Sequence, residues 1–217
     1  MAQLRPGGTK DLGFLKEMLF EAFFWDPSIK RPSFASFRDN PEFSKLLAGW
    51  KRRGDRAVIA EENGERIGAA WFRLWTPELH SYGFVDAASP EIAMAVRADY
   101  RSKGLGRKLL GALVQTARAD GFPALSLSVS PLNSARQLYE STGFRKVGES
   151  GTSWTLLLSL SPLDCAPAEP PNKTGRANSR PAPPPGAGRQ PARNLSEFAR
   201  AIHVQLCSPA AVAELGR

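Results

Sequence analysis

Hydrophobic and polar residues alternate along this chain with two different periods, and the changes of period divide the chain into elements. Apolar side chains recur at helical spacing from Leu12 to Phe24, and Asp26-Pro27 ends that pattern. A second, short helix is predicted from Pro41 to Trp50, because proline fits the first turn of a helix. The chain is therefore expected to begin with helical segments.

The next segments are typical of β-strands, by their composition or by a period of two. Residues 57–60 and 67–74 are strand-like and flank Asn63-Gly64, a strong signal for a hairpin turn. Glu91–Val96 is a further apolar strand. In Leu125–Val129 the apolar residues alternate with serines, which predicts a strand with one apolar face. These segments are expected to supply the central strands of a sheet.

Two helices and two closing strands complete the predicted elements. Leu105–Ala119 carries an apolar stripe at helical spacing. A helix is also predicted over Ser134–Thr142, because Ser134 and Gln137 fit a capping box and Gly143 is a typical helix stop. The closing strands are expected at Phe144–Val147 and Thr152–Leu160. This order of elements predicts an α/β fold built on a mixed sheet.

Composition separates a core from an extension. Residues 1–161 contain all the predicted strands and form one expected domain. Residues 162–193 contain half of the chain's 18 prolines and lack aromatic residues, so they are predicted to be a disordered linker. In the tail, 194–217, the segment Leu195–Leu206 has apolar residues at helical spacing. That pattern is compatible with a short helix or with a frayed terminus.

The charged and metal-binding residue types exclude several classes of protein. The formal net charge is +8, yet no run of basic residues is longer than Lys51-Arg52-Arg53, so nucleic-acid binding is not expected. Cys165 and Cys207 lie outside the predicted core, and His80 and His203 are far apart, so no metal site is predicted. No export signal and no membrane span are recognised, and the expected location is the cytoplasm.

The loop that leads from the strand Glu91–Val96 into the helix Leu105–Ala119 carries the most specific chemistry. Its glycines allow a close backbone approach, and the free N–H groups of the helix start attract an anion. Basic residues add positive charge beside them. The P-loop and dinucleotide fingerprints do not fit, because Ala112 and Leu109 stand at positions where those motifs need lysine and glycine. The residues alone therefore indicate either a phosphate site or a plain tight turn.

Two motifs in the right order make a family resemblance specific. The segment Val96–Gly106 resembles the pyrophosphate-binding motif of the GNAT acetyltransferase superfamily, which reads Arg-x-x-Gly-x-Gly after an apolar strand. Further along, Asn133-Ser134-Ala135, Tyr139 and Gly143-Phe144 are similar to a second family stretch, with a spacing one residue tighter. The segment Tyr82–Asp86 resembles one bacterial branch. The resemblance spans residues 1–161.

The resemblance implies a mostly antiparallel mixed sheet with helices on both faces and two splayed parallel strands that hold acetyl-CoA. Here those strands are Glu91–Val96 and Leu125–Val129. Their backbone is expected to pair with the pantetheine arm, the glycine loop to bind the pyrophosphate, and one asparagine to bond the pantetheine side. The implied residues are Met94, Ala95, Val96, Arg101, Ser102, Lys103, Gly104, Leu105, Gly106 and Asn133.

The resemblance also implies two catalytic groups for direct attack of an amine on the thioester. Tyr139 is expected to protonate the leaving thiolate, the alternative being a core aromatic residue. Glu91 is the expected general base, the alternative being a structural or substrate-binding carboxylate. Many members place the glutamate where this chain has Pro90, and a strand bulge would restore the facing of Glu91. Tyr82 and Asp86 of the preceding loop are weaker candidates for the base, and they are expected instead to anchor that loop.

The implied activity is transfer of an acetyl group to an amine whose identity the sequence does not fix. The backbone N–H of Met94 or a neighbour is the expected oxyanion donor. Two other hypotheses stay open at this point: a non-catalytic acyl-CoA sensor, and a nucleic-acid binder that uses the basic tail. The expected assembly is a monomer or a homodimer, without a membrane partner.

Overall fold

The alternating segments become a seven-stranded sheet flanked by helices in a computed structural model, which describes residues 2–160. The predicted linker 162–193 and tail 194–217 lie outside the described residues, so both stay predictions. The strands are β1 (Gln3–Pro6), β2 (Arg56–Glu62), β3 (Glu65–Arg73), β4 (Glu91–Val96), β5 (Ala124–Val129), β6 (Arg145–Ser150) and β7 (Ser153–Ser159). The helices are α1 (Leu12–Phe23), α2 (Phe34–Asp39), α3 (Pro41–Ser44), α4 (Leu105–Ala119) and α5 (Ala135–Thr142).

The strand order is β1-β2-β3-β4-β5-β7-β6, and all neighbours are antiparallel except β4 and β5. The β2–β3 hairpin turns at Asn63-Gly64. Both residues have positive φ (53° and 81°), as a two-residue type I′ turn requires. The mixed, mostly antiparallel sheet predicted from the sequence is thus confirmed.

Each face of the sheet carries its own core. On one face α4 and α5 cover a core that includes Leu109, Leu113 and Phe144. On the other face α1, α2 and α3 cover a second core rich in aromatic residues, including Phe14, Phe37 and Trp71. Strands in the middle of the sheet contribute alternate side chains to the two cores, because successive side chains point to opposite faces. Helices therefore lie on both faces, as expected.

Two helix ends differ from their predictions. The second predicted helix stops at Ser44 instead of Trp50. The buried Arg73 guanidinium takes the carbonyl oxygens of Leu46 (2.7 Å) and Ala48 (2.9 Å), which a continuing helix would use for its own bonds. At α5 the predicted capping box of Ser134 is wrong, because its side chain makes no cap bond. Asn133 caps instead, since its Oδ1 accepts from Ala135 N at 2.9 Å.

Two short elements were not predicted. β1 is an edge strand whose residues are mostly exposed, so it carries no apolar alternation to detect. α2 has six residues, which is too short to show a helical period. Its start does have a local signal, because Ser33 Oγ accepts from Ser36 N at 3.1 Å as an N-cap.

Candidate active site

The parallel strands β4 and β5 diverge and leave a V-shaped gap in the middle of the sheet. Within the described residues the two strands have one register pair, Glu91 with Ser126, near their N-terminal ends. Ser126 N donates to Pro90 O at 3.0 Å at this vertex. Beyond it, the β4 edge that faces β5 offers backbone groups to a ligand.

Strand geometry tells which residues of β4 face the gap. Arg97 N donates to Ile67 O at 2.9 Å, so the backbone groups of Arg97 point toward β3. Directions alternate along a strand, and Ala95 therefore also bonds β3, whereas Met94 and Val96 point toward the gap. Of the three predicted pantetheine contacts, Met94 has an available edge and Val96 keeps its N–H, because Val96 O accepts from Arg101 Nε at 2.9 Å. The backbone of Ala95 is occupied by the sheet.

The loop after β4 places free backbone N–H groups at the start of α4. Gly104 is the N-cap residue with φ 77°, a conformation that favours glycine, and it provides no side-chain acceptor. The first-turn amides of Leu105 and Gly106 have no intrahelical partner. A Cβ on Gly106 would lie 3.3 Å from Leu138 and 3.5 Å from Met94, so the helix start approaches β4 closely. This geometry fits a pyrophosphate.

The basic side chains near the loop have different roles. Arg101 donates through Nε to Val96 O (2.9 Å) and through Nη2 to Glu21 (2.8 Å), so its side chain fastens the loop to α1. Lys103 is exposed, with Nζ 5.3 Å from the centre of the Tyr100 ring, and Ser102 is exposed with φ 59°. A neighbouring depression is lined by arginines and aromatic residues: Glu21, Phe24, Trp25, Pro27, Ile29, Arg31, Arg97, Ala98 and Arg101.

Glu91 lies at the vertex of the V and is buried (9% exposed). Its side chain projects to the face covered by α1, the face that also receives Ala93 and Ala95. Burial raises the pKa of the Glu91 carboxyl to about 7, although hydrogen bonds from Gly83 N and from Ser81 oppose that change. A carboxyl with this pKa is near half-ionised at neutral pH, as a general base requires.

The strand that carries Glu91 is regular. β4 pairs with β3 without a register shift from Gly68–Val96 to Arg73–Glu91. The bulge that would have reversed the facing of Glu91 is therefore not present in β4. The carboxyl reaches the vertex from its regular position on the α1 face.

Two hydroxyl groups lie near this vertex: that of Tyr82, which was predicted as a weaker candidate for the base, and that of Ser126, which was not singled out. Ser126 is fully buried and is the register partner of Glu91. Tyr82 packs edge-on against Phe23 (6.0 Å between ring centres), and burial raises its pKa to about 12, with smaller contributions from the charges of Glu42 and Glu91. Among the described residues, Ser126 Oγ, Tyr82 Oη and Glu91 Oε2 are buried without a hydrogen-bond partner. The alternation of serine and leucine in β5 was the available signal for Ser126.

Tyr139 lies on the opposite face from Glu91. It belongs to the core under α4 and α5, and its ring packs against Phe144 with 5.9 Å between centres. Burial raises the pKa of Tyr139, so the phenol keeps its proton at neutral pH. The two predicted catalytic groups therefore lie on opposite faces of the sheet.

The remaining predicted residues lie in loops around the V. Asn133 is half-buried at the start of α5, where its Oδ1 is occupied by the cap bond described above. Asp86 Oδ1 accepts from Ala88 N and Ser89 N, both at 2.8 Å, which fits its expected role as a loop anchor. In residues 2–160, no helix is long and apolar enough to cross a membrane, and no acidic, cysteine or histidine cluster could hold a metal. The cytoplasmic location stays a prediction.

Comparison with known proteins identifies the fold. Residues 16–144 match the Acetyltransferase (GNAT) family. The L-methionine sulfoximine/L-methionine sulfone acetyltransferase of Pseudomonas aeruginosa is 33% identical over 121 residues, which are 51% of this chain and 67% of the relative. The L-amino acid N-acyltransferase MnaT of Escherichia coli is 34% identical over 103 residues, 46% of this chain and 54% of the relative.

A solved structure shows the same fold with a ligand. The yncA protein of Salmonella typhimurium, solved with its cofactor acetyl-CoA, superposes with a TM-score of 0.53 and 24% identity, covering 77% of this chain and 98% of that protein. The family match favours catalysis over the acyl-CoA sensor. The chain belongs to the GNAT acetyltransferase family and is an acetyl-CoA-dependent N-acetyltransferase.

Proposed function

We propose that this enzyme acetylates the α-amino group of a small L-amino acid or a close analogue, by direct attack on acetyl-CoA. The observation that carries the proposal is the placement of Glu91 and Tyr139 on opposite faces of the sheet, with Glu91 at the vertex of the V. In such an arrangement the acceptor amine and the leaving sulfur have separate proton-handling groups. A free proton acceptor and a free proton donor are what the reaction needs.

The donor site extends from the V to the start of α4. We assign the pantetheine arm to the gap-facing backbone of Met94 and to the N–H of Val96, whose carbonyl bonds Arg101. Ala95 contributes its methyl group to the α1 face. The pyrophosphate is assigned to the backbone of Arg101, Ser102, Lys103, Gly104, Leu105 and Gly106. Asn133 keeps its Nδ2 group available for the pantetheine side, because Oδ1 makes the cap bond. Acetyl-CoA supplies the thioester that is broken.

The catalytic groups then move two protons. As the acceptor nitrogen forms a bond to the carbonyl carbon, the C–S bond breaks and the nitrogen loses a proton to Glu91. Tyr139 donates its hydroxyl proton to the departing sulfur. The backbone N–H of Met94, which faces the gap, stabilises the negative charge on the carbonyl oxygen. Both raised pKa values fit these roles, because the carboxyl retains basicity near neutral pH and the phenol retains its proton.

The acceptor class rests on the relatives and on the α1 face. Two relatives are named for L-methionine derivatives or for L-amino acids. Beside Glu91, the α1 face carries an aromatic group that includes Tyr82, Phe23 and Phe43, with 4.9 Å between the two phenylalanine rings. An apolar amino-acid side chain would pack against such a surface.

The test is release of free thiol from acetyl-CoA with a panel of acceptors. The panel contains L-methionine sulfone, other L-amino acids, their D-enantiomers, a peptide with a free N-terminus and a lysine side-chain analogue. Turnover with L-amino acids above the others supports the proposal, and turnover confined to peptides or to lysine contradicts the acceptor class. Glu91→Gln should lower kcat by about 10²–10⁴-fold and abolish the acid limb of the pH profile. An unchanged limb would show that Glu91 is not the base.

A further inference from the structure

The loop between β3 and β4 inserts one glycine into the most confined place of the site. A Cβ on Gly83 would lie 2.5 Å from Leu127 C and 2.6 Å from Ser128 N, both backbone atoms of β5. Real Cβ atoms do not approach backbone so closely, and a strand in the middle of a sheet cannot move aside cheaply. This residue must therefore lack a side chain for the loop to lie against β5.

The same residue also contacts the proposed base. Gly83 N donates to Glu91 Oε1 at 2.9 Å in a buried position. Glu91 itself belongs to β4, so the loop contacts β5 through the Gly83 backbone and β4 through a hydrogen bond. It fills the place where the two strands have begun to diverge and no longer pair with each other.

We propose that Gly83 is a positioning residue for catalysis: its N–H holds Glu91 Oε1 and leaves Oε2 as the oxygen that receives the proton of the acceptor amine. The inference rests on the proposed role of Glu91 as general base. It adds the orientation of the carboxyl and the reason why a glycine must stand at this position.

The surroundings of Glu91 leave the task to Gly83. From β3, Arg73 is in register with Glu91. Its guanidinium, however, binds Asp55 and two backbone carbonyls in the segment after α3. From β5, Ser126 lies beside Glu91, and from the loop Ser81 and Tyr82 face it. Glu42 of α3 faces Tyr82. No cation binds the carboxyl among the described residues, so a backbone N–H is its principal fixed donor.

The buried polar atoms that have no hydrogen-bond partner indicate which carboxyl oxygen is the reactive one. Oε1 is bonded, whereas Oε2 is buried without a partner among the described residues, as are Ser126 Oγ and Tyr82 Oη. A carboxylate oxygen in that state is a strong acceptor, because leaving it unpaired in a buried place is costly. The amine proton is transferred to Oε2, and the bond to Oε1 stays intact throughout the step.

The decisive experiment removes the N–H and leaves the shape unchanged. Glycolic acid is incorporated in place of Gly83 by cell-free translation, which converts the amide into an ester. Loss of a hydrogen bond to the ionised form disfavours that form, so the acid limb of the kcat profile should move upward by about one pH unit. A second variant, Gly83→Ala, keeps the N–H but displaces it, and should lower kcat more than it raises the KM for acetyl-CoA. The Gly111→Ala and Gly111 ester variants are the controls, because a Cβ on that helical glycine meets nothing within 4 Å.

A direct titration separates this inference from the proposed function. The ¹³C signal of the Glu91 carboxyl, identified by its loss in Glu91→Gln, is followed against pH in the wild type and in the Gly83 ester. A higher titration midpoint in the ester supports the bond whether or not Glu91 is the base. An unchanged midpoint and an unchanged kinetic limb, in a variant that keeps the wild-type far-ultraviolet spectrum, overturn the inference. If Glu91→Gln retains the limb, the base assignment fails, and the catalytic role of Gly83 fails with it.

Discussion

Two buried carboxylates are both associated with Arg73 and differ in how their hydrogen bonds are satisfied: Asp55 precedes β2 and binds Arg73, and Glu91 of β4 is the register partner of Arg73. Asp55 is fully buried and accepts from Arg73 Nε (3.2 Å), Lys51 N (3.0 Å) and Arg52 N (3.2 Å). Glu91 is register partner to the same arginine, yet it receives no charge from it and has one unpaired oxygen. Asp55, whose two oxygens both accept hydrogen bonds, can only stabilise the structure. Glu91, which has one oxygen without a partner, retains the capacity to take a proton. Satisfaction of hydrogen bonds, more than burial, distinguishes the two acids and is why we propose Glu91, and not Asp55, as the reactive one.

Removing the Asp55 carboxylate should have the largest effect on the free energy of unfolding. Asp55→Asn leaves Arg73 buried without a compensating charge, and we expect the free energy of unfolding to fall by about 3–5 kcal/mol. The kcat of the folded fraction should change little, because Asp55 binds Arg73 and two backbone N–H groups and has no proposed part in the reaction. Urea unfolding and single-turnover assays on the same sample measure both quantities. A fall in kcat with unchanged stability would reverse the roles assigned to Asp55 and Glu91.

Glu91, by contrast, should make the protein less stable as pH rises. The pKa of Glu91 is about 7 in the folded state, above the ordinary value of 4.5. Between these values the folded state keeps a proton that the unfolded state loses, so the free energy of unfolding falls as pH rises through this window. The full effect is about 3 kcal/mol.

Glu91→Gln should remove that dependence and be more stable than the wild type at pH 8. Urea unfolding at pH 5 and pH 8 tests the difference between the two proteins. Identical pH dependence in both would show that the Glu91 carboxyl is not held in its neutral form by burial.

Tyr139 extends the comparison to a phenol on the other face. Tyr139→Phe deletes the hydroxyl and keeps the ring that packs on Phe144. We expect kcat to fall by about 10–100-fold with little change in the Kd for acetyl-CoA. Stopped-flow thiol release and calorimetric titration of acetyl-CoA measure these separately. Equal loss of affinity and rate would assign Tyr139 to binding.

The smallest expected effect concerns the unpaired backbone N–H groups at the start of α4. Gly104→Ala puts a side chain at φ 77°, which costs about 1–2 kcal/mol of conformational energy and disturbs the amides of the first turn of α4. We expect a weaker affinity for acetyl-CoA, by about tenfold, and a small loss of stability. Gly111→Ala in the same helix is the control and should stabilise slightly. Equal affinity in the two variants would exclude the loop as the pyrophosphate site.

Local patterns allowed much of the fold and less of the site to be predicted. β4 and α4 begin and end at their predicted residues, because apolar periodicity and flanking glycines define them. The early stop of α3 could not be predicted, because Arg73, about 25 residues further along, binds the carbonyls of Leu46 and Ala48 in the segment that was expected to continue the helix.

The positions of the site residues depend on three-dimensional contacts in the same way. The sequence motifs located Glu91 and the glycine loop. The role proposed for Gly83 depends on its contact with β5, which lies about 40 residues further along the chain, so no local sequence pattern could indicate it.

The single pairing of β4 with β5 has a consequence for cooperativity. Strands β1 to β4 pair in chain order, β5 pairs with the neighbouring β7–β6 hairpin, and in the described sheet these halves meet at one register position. Each half can therefore exchange its amide hydrogens with some independence. In the donor site proposed above, acetyl-CoA lies between β4 and β5, and a ligand in that position would link the two halves as an additional strand would. Protection of β5 against hydrogen exchange should rise on binding more than protection of β2, which already has strand partners on both sides.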